Sequence, residues 1–296
     1  MQIRSIKLFV IVTGFLAILP IASCRKPQSG GLKFVGQNGS TRKLQKKDCL
    51  VVATHGWIEK AAGDWPQEMA EAIQERVDDS TWLCGYFDWS GGAKTINPTD
   101  AAKYARDIAG PKLAEQILET QTDWRHIHLI GHSCGCWVIS EAAKILAKKT
   151  FADIHLTFLD AYVPAFWHEN ALGDVNTAAD VNFRAEQYFT RDLTLQWTQN
   201  KLTHAHNVDI TDIDSIFKDH NFPWQWYLAT AAGKYSKHNL LHKGTASTTA
   251  NGIEYGFALS REAAGKQAWL QNLKLPVDNE PVKIRKHKKG HIKNRI

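Results

Sequence analysis

The chain has 296 residues, of which 44% are hydrophobic and 22% are charged, and its formal net charge is +6. This composition is that of an ordinary folded protein and excludes collagen-like and intrinsically disordered chains. The length allows a core that needs no metal or disulfide framework. Basic residues concentrate before residue 8 and after Glu280, so the remainder is mildly acidic, which argues against a dedicated nucleic-acid-binding protein.

The N-terminal residues have the pattern of an export signal. Two basic residues precede an apolar run over residues 8–22, which is shorter than the roughly 20 residues of a membrane-spanning helix. The run ends in Ile21-Ala22-Ser23-Cys24, which resembles the lipobox of bacterial lipoproteins. We therefore expect an exported protein whose lipidated Cys24 anchors it to a cell-envelope membrane. The alternative is a secreted soluble protein.

Apolar runs alternate with amphipathic stretches along the rest of the chain. Short continuous apolar runs predict buried strands, and apolar residues at helical spacing predict helices. The predicted strands cover residues 49–54, 82–87, 126–130, 154–159, 183–190 and 208–213, and the predicted helices cover 64–77, 98–119 with an interruption at Gly110-Pro111, 134–148 and a segment beginning near Pro223. This alternation predicts an α/β fold with a largely parallel sheet whose ligand crevice lies at the carboxyl ends of the strands.

The pattern divides the chain into four segments. Residues 1–23 are the signal peptide, 24–47 an anchor-proximal linker with the first short strands, 48–280 one α/β domain, and 281–296 a basic tail. The tail carries seven lysine and arginine residues and no acidic residue. We expect it either to attract anionic lipid headgroups or to remain a solvated extension.

A nucleophile motif lies between the predicted strand 126–130 and the helix that follows. Gly131-His132-Ser133-Cys134-Gly135 is a G-x-S-x-G sequence. Its glycines permit a sharp turn that holds the serine in a strained position at the head of a helix. The helix N-terminus favours the negative charge of an oxyanion. The alternative is a structural turn.

With this motif in this context, the chain resembles the α/β-hydrolase family, in particular its lipase and esterase members. Thr54-His55-Gly56-Trp57 is similar to the His-Gly oxyanion loop of lipases. The resemblance implies an α/β-hydrolase fold, with a mostly parallel sheet and helices on both faces. It also implies an oxyanion hole formed by the backbone N–H groups of Trp57 and Cys134. For His55-Gly56 alone, a plain turn is the alternative.

His220 is the candidate general base among 13 histidines. In this fold the triad follows the order Ser, acid, His, and the loop that carries His220 after the last predicted strand is similar to the base-bearing loop of lipase-like hydrolases. His126 and His128 lie inside a strand, where we expect packing or surface roles. The side chain of His132 is expected to point away from the serine.

Two carboxylates are candidates for the acid that orients His220. Asp160 ends the strand 154–159 and resembles the Leu-Asp-Pro segment of neutral lipases, whereas Asp192 follows the next strand, the place used by most other members of the fold. We favour Asp160 because no other charge lies near it, whereas Asp192 adjoins Arg191.

Aromatic residues follow the carboxyl ends of several predicted strands and the candidate base. They are expected to form an acyl-binding wall, although ordinary core is the alternative for each of them. Together with Trp57, the candidates are Trp89, Trp167, Phe222 and Trp224.

These features predict a serine hydrolase that cleaves carboxylic esters of a lipid or another apolar acyl group. Its partners are a small-molecule or lipid ester substrate and the membrane, through Cys24, with no specific nucleic-acid partner. The sequence implies no metal or organic cofactor, since it has no zinc-ligand spacing of cysteines and no H-E-x-x-H or Gly-rich phosphate loop. An acyltransferase or thioesterase with the same triad is one alternative, and a non-catalytic lipoprotein on this fold is another. Cys49 and Cys84 either form a disulfide or remain buried thiols.

Overall fold

The computed structural model describes residues 30–36, 46–61, 63–167, 171–191, 196–211, 220–232, 249–250, 253–254 and 256–263. The predicted signal segment with Cys24, the basic tail and Asp192 lie outside the described residues.

A seven-stranded sheet forms the centre of the domain, with the strand order β1-β3-β2-β4-β5-β6-β7. The strands are β1 Gly31–Phe34, β2 Cys49–Thr54, β3 Trp82–Asp88, β4 His126–His132, β5 Asp153–Leu159, β6 Phe183–Phe189 and β7 His206–Asp209. Only the pairing of β1 with β3 is antiparallel in this sheet. A separate antiparallel pair is formed by β8 Thr249–Ala250 and β9 Ile253–Glu254.

Helices cover both faces of the sheet, which is the arrangement of an α/β-hydrolase fold. The helices are α1 Trp65–Gln74, α2 Ser90–Ala93, α3 Pro98–Tyr104, α4 Gly110–Thr120, α5 Gly135–Lys149 and α6 Phe222–Ala232, with 3-10 turns at Gln196–Thr198 and Gly256–Leu259. Helices α4 and α5 pack with one hydrophobic cluster and α1 and α6 with the other. Asp64 caps α1 as expected, because its carboxylate accepts the Trp65 backbone N–H.

The predicted interruption at Gly110-Pro111 is a π-helical turn, not a break. This turn, Ala105–Ala109, joins α3 directly to α4, and the Gly110 N–H donates to the carbonyl of Ala105. Proline has no N–H to donate, and its ring clashes with the carbonyl four residues earlier in a regular helix. A turn widened by one residue accommodates Pro111 and lets the helix continue.

Cys49 and Cys84 lie on the neighbouring strands β2 and β3, and both are buried free thiols. The register sets Cys49 opposite Trp82 and Cys84 opposite Val51. Among the described residues, no helix combines the length and the apolar character that crossing a bilayer requires.

Candidate active site

Ser133 lies in the turn between β4 and α5, at the carboxyl edge of the sheet. Its φ is 53°, a left-handed conformation that costs free energy for a residue with a side chain. Two hydrogen bonds to the chain around the end of β5 hold it there. The Ser133 N–H donates to the carbonyl of Leu159 over 3.0 Å, and its carbonyl accepts the Tyr162 N–H over 3.3 Å. This is the strained turn at the head of a helix that the G-x-S-x-G pattern predicts.

Two glycines let the loop after β2 pack directly on this turn. A Cβ on Gly135 would lie 2.3 Å from the carbonyl oxygen of His55, and a Cβ on Gly56 would lie 2.9 Å from the Cβ of Ser133. Real Cβ atoms essentially never lie within 3.0 Å of another non-bonded heavy atom, so only glycine allows the backbones to approach so closely. The Thr54-to-Trp57 loop therefore lies against the serine.

His220 is hydrogen-bonded to a buried carboxylate. Its Nδ1 lies 2.6 Å from Oδ2 of Asp160, and Oδ1 of the same carboxylate accepts the backbone N–H of Thr190 over 2.9 Å. The Asp160 side chain is 0% exposed and that of His220 is 19% exposed. A carboxylate at Nδ1 holds the proton on that nitrogen, so Nε2 keeps the lone pair. Asp160, one of the two candidate acids, therefore lies at His220, and the other, Asp192, lies outside the described residues.

An ion pair behind the site connects the loop of His220 with the loop after β2. The rings of His132 and His220 pack with centroids 4.6 Å apart, and Nε2–H of His132 donates to the carbonyl of His220 over 3.0 Å. His132 Nδ1 lies 3.2 Å from Oε1 of Glu59. Glu59 also accepts the Gly56 N–H over 2.7 Å and the indole N–H of Trp65 over 3.3 Å.

Sequence reasoning missed this pair, since it only expected His132 to point away from the serine. Each member shifts the pKa of the other towards its charged form. Burial opposes a low pKa for Glu59, but the charge and hydrogen bond of His132 and the Gly56 N–H lower it to about 2. Burial likewise opposes a charged His132, but Glu59 and the carbonyl of His220 raise its pKa. No signal in the sequence marks the pair, because Glu59 and His132 are 73 residues apart.

The two predicted oxyanion-hole donors lie beside the same atom. Burial raises the pKa of the Cys134 thiol, and three neighbours oppose that rise by hydrogen bonding: the Ser133 hydroxyl and the backbone N–H groups of Cys134 and Trp57. The thiol itself donates to the carbonyl of Pro98 over 3.4 Å. Both backbone N–H groups thus act on the thiol of the residue that follows Ser133.

Trp89 supports the loop after β2 from behind. Its ring stacks on His55 with centroids 5.1 Å apart, its backbone N–H donates to His55 Nε2 over 3.1 Å, and its indole N–H donates to the His55 carbonyl over 2.9 Å. At 4% exposure it is a core residue.

The structure does not gather the predicted aromatic wall in one place. Trp89 and Trp167 pack with the hydrophobic cluster on one face of the sheet, and Phe222 and Trp224 belong to the cluster on the other. Trp224 stacks on Trp65 of α1. The spacing of tryptophans after strand ends cannot distinguish the two faces, and burial between helices and sheet decides where each residue packs.

Comparisons with known proteins identify a family that the chain matches. A family model described as Lipase matches residues 35–183, just over half of the chain. Mouse pancreatic triacylglycerol lipase is 32% identical over 132 residues, which cover 43% of this chain and 26% of that protein. Pig pancreatic lipase-related protein 2 is 33% identical over 131 residues, with the same coverage of 43% and 26%. The matched segment thus spans about a quarter of these curated relatives.

The chain is also similar to solved α/β-hydrolase structures. Mouse α/β hydrolase domain-containing protein 10 superposes with a TM-score of 0.27 at 18% identity, over 45% of this chain and 50% of that chain. An α/β serine hydrolase without lid from Xanthomonas campestris superposes with a TM-score of 0.31 at 14% identity, over 55% of this chain and 72% of that chain.

Replacing Gly135 by alanine should destabilise the fold through the contact with the His55 carbonyl. We expect the free energy of unfolding to fall by about 1–3 kcal/mol, the usual cost of overpacking, as measured by urea denaturation. Gly91→Ala is the matched control, because a Cβ at Gly91 in α2 meets no atom within 4 Å. Equal effects of the two substitutions would show that the loop does not rest on Gly135.

The Glu59–His132 pair should make stability depend on pH in a defined window. The folded-state pKa of Glu59 lies below its ordinary value of 4.5, and that of His132 lies above its ordinary value of 6.5. The contribution of Glu59 is therefore complete above pH 4.5 and lost as the pH falls towards 2. That of His132 is complete below pH 6.5 and lost as the pH rises through its raised pKa.

The measurement is the difference in free energy of unfolding between wild type and Glu59→Gln across this pH range. We expect the largest difference between pH 4.5 and 6.5, where both partners are charged. Glu115→Gln, at an exposed position of α4, is the control and should differ from wild type by a constant amount. A flat profile for Glu59→Gln would contradict the ion pair.

Proposed function

The chain belongs to the Lipase family of α/β-hydrolases, and from this premise we propose that it hydrolyses carboxylic esters with Ser133, His220 and Asp160 as its triad. The observation that carries the proposal is the 2.6 Å contact between Asp160 Oδ2 and His220 Nδ1. It occurs in a domain that also holds a G-x-S-x-G serine in a left-handed turn. A buried carboxylate at Nδ1 is what a general-base histidine needs.

In the proposed reaction, Ser133 Oγ attacks the ester carbonyl while His220 Nε2 accepts the hydroxyl proton. The tetrahedral intermediate then expels the alcohol, which takes the proton back from Nε2, and an acyl-serine remains. In the second half of the reaction, water is the nucleophile and Ser133 is the leaving group. Nε2 takes the proton of the water, and the hydroxide oxygen bonds to the acyl carbon. The carboxylic acid then leaves as Ser133 Oγ regains its proton from Nε2. The Asp160 carboxylate stabilises the imidazolium that forms twice in each cycle.

The N–H groups of Trp57 and Cys134 are the proposed donors to the oxyanion. Both lie beside the Cys134 sulfur, which is a weak acceptor. An oxyanion is a much stronger acceptor than a thiol, so we infer that it takes both donors when it forms. Because the backbone already holds these N–H groups in place, little free energy is spent on reorienting them when the oxyanion forms. Each donor lowers the activation free energy of acyl transfer by a few kcal/mol.

Exposed apolar side chains around the carboxyl edge of the sheet support an apolar substrate. They lie in the loops that follow β2, β3, β5 and β6, the same edge that carries Ser133. These residues are Ile58 at 59% exposure, Ile96 at 98%, Phe166 at 97% and Trp197 at 44%. Their placement favours a lipid or another apolar acyl ester as substrate. The proposal of an apolar substrate therefore rests on these exposed residues and no longer on the aromatic wall predicted from the sequence.

We further propose that the protein is a bacterial lipoprotein held to a cell-envelope membrane through Cys24. The apolar run before Ala22-Ser23-Cys24 supports this localisation. The basic tail over residues 281–296 adds an attraction to anionic lipid of about 1 kcal/mol per basic residue close to the surface.

A fluorophosphonate probe followed by mass spectrometry tests the nucleophile. We expect one adduct, on Ser133, and none in Ser133→Ala. Unlabelled protein that transfers the acyl group of an ester substrate to added alcohols faster than to water would be an acyltransferase instead. Absence of any adduct on folded wild type would favour the non-catalytic lipoprotein.

The choice of acid is tested by two matched substitutions. Asp160→Asn should lower kcat for a soluble ester by up to about 10⁴-fold while the fold stays intact, because the wrong histidine tautomer is then favoured. Asp192→Asn should keep near-full turnover. The reverse outcome would move the acid one strand later along the chain.

Anchoring is tested by Cys24→Ala in the full chain. We expect wild type in the membrane fraction, with acyl chains on Cys24 in the intact mass, and the variant in the soluble fraction. Gln28→Ala, four residues further along the chain, should behave as wild type. An unmodified N-terminus on wild type, or unchanged partitioning of the variant, would contradict the proposal.

A further inference from the structure

A second cluster of chemically reactive side chains lies at the opposite end of the sheet from Ser133. His126 and His128 are two residues apart on β4, and the register pairs His128 with His155 on β5. Residues two apart on a strand share a face, as do register partners in a sheet, so the three histidines face the same side. His126 begins β4 and Ser133 follows its end, which separates them by about 20 Å. The proposed hydrolysis uses none of the three.

Glu262 enters this cluster from the segment after the Gly256–Leu259 turn. Its Oε1 lies 2.5 Å from Nδ1 of His128, and neither side chain is exposed to solvent. Its Oε2 is buried and has no hydrogen-bond partner among the described residues. An unsatisfied buried carboxylate oxygen is costly, and a bound cation would remove that cost.

Three ligand atoms converge at this point. One atom each from His126, His155 and Glu262 lies within 4.8 Å of the other two, and all three residues are buried. Two imidazole nitrogens and one carboxylate oxygen are a ligand set typical of zinc, with the fourth position left to water. The ligands come from two strands and a distant C-terminal segment, so no local spacing marked them in the sequence.

The surroundings of His155 also fit a ligand. Its Nε2–H donates to Oε1 of Glu186 over 3.2 Å, which leaves the lone pair on Nδ1. A carboxylate on the far nitrogen is the usual support of a metal-bound histidine. The two nearby arginines already have carboxylate partners, since Arg184 pairs with Glu186 and Arg261 with Asp153.

We propose that His126, His155 and Glu262 bind one zinc ion. The ion would hold the segment after the Gly256–Leu259 turn, which carries Glu262, against the sheet. The site is independent of the proposed esterase activity. The competing explanation is a polar network that holds the same segment without a metal.

The test uses the full chain, purified without a polyhistidine tag and stripped of metal with a chelator. Zinc titration against a chromophoric competitor should give one ion per chain, and the ion should raise Tm by several degrees. His126→Gln and Glu262→Gln should each raise the Kd at least about tenfold. His204→Gln, an exposed histidine, is the matched control and should bind as wild type does.

X-ray absorption at the zinc edge of loaded wild type covers the case in which a variant fails to fold. It should show nitrogen and oxygen ligands at about 2.0–2.2 Å, with imidazole scattering. Wild type that binds no zinc at micromolar concentration would overturn the proposal. So would folded His126→Gln and Glu262→Gln that bind as tightly as wild type.

Discussion

The conformation of Ser133 depends on three segments that meet at one turn. The end of β5 accepts its N–H, the loop after β2 presses against it through Gly56, and α5 starts two residues later at Gly135. Each segment alone would let the serine relax to an ordinary backbone conformation. The parallel sheet fixes all three segments. The packing of the whole fold therefore offsets the conformational free energy of the left-handed Ser133 backbone. The Glu59–His132 pair extends this dependence to the loop of His220.

Most of the fold was predictable from the sequence, since it rests on local periodicity. The strand 49–54 was predicted with its observed limits, because a continuous apolar run marks a strand that is buried on both faces. Asp64 marked the start of α1 by the same kind of local signal. The interruption predicted at Gly110-Pro111 takes the form of a π-helical turn, and the sequence could not specify this form because it depends on the packing around the helix.

The candidate site was predictable where a motif sits at a strand end. Ser133 and Asp160 are such residues, and both have a positive φ. What sequence could not reveal are contacts between distant segments that carry no motif of their own. Glu59 with His132, and His128 with Glu262, are pairs of this kind. The predicted aromatic wall is divided between two clusters for a related reason. The order of residues along a chain does not determine the face of the sheet against which each side chain packs.

The offset of Cys49 and Cys84 on neighbouring strands has a consequence for where this fold can be stable. Each thiol is two register positions from the other, which places their Cα atoms about 8 Å apart. Disulfides need about 7 Å or less, so neither strand can be cross-linked to the other without slipping along the sheet. The central strands thus hold together by hydrogen bonds and packing alone. No disulfide can form between β2 and β3 in either an oxidising or a reducing compartment. The stability of these two strands therefore does not depend on the side of a membrane on which the domain folds.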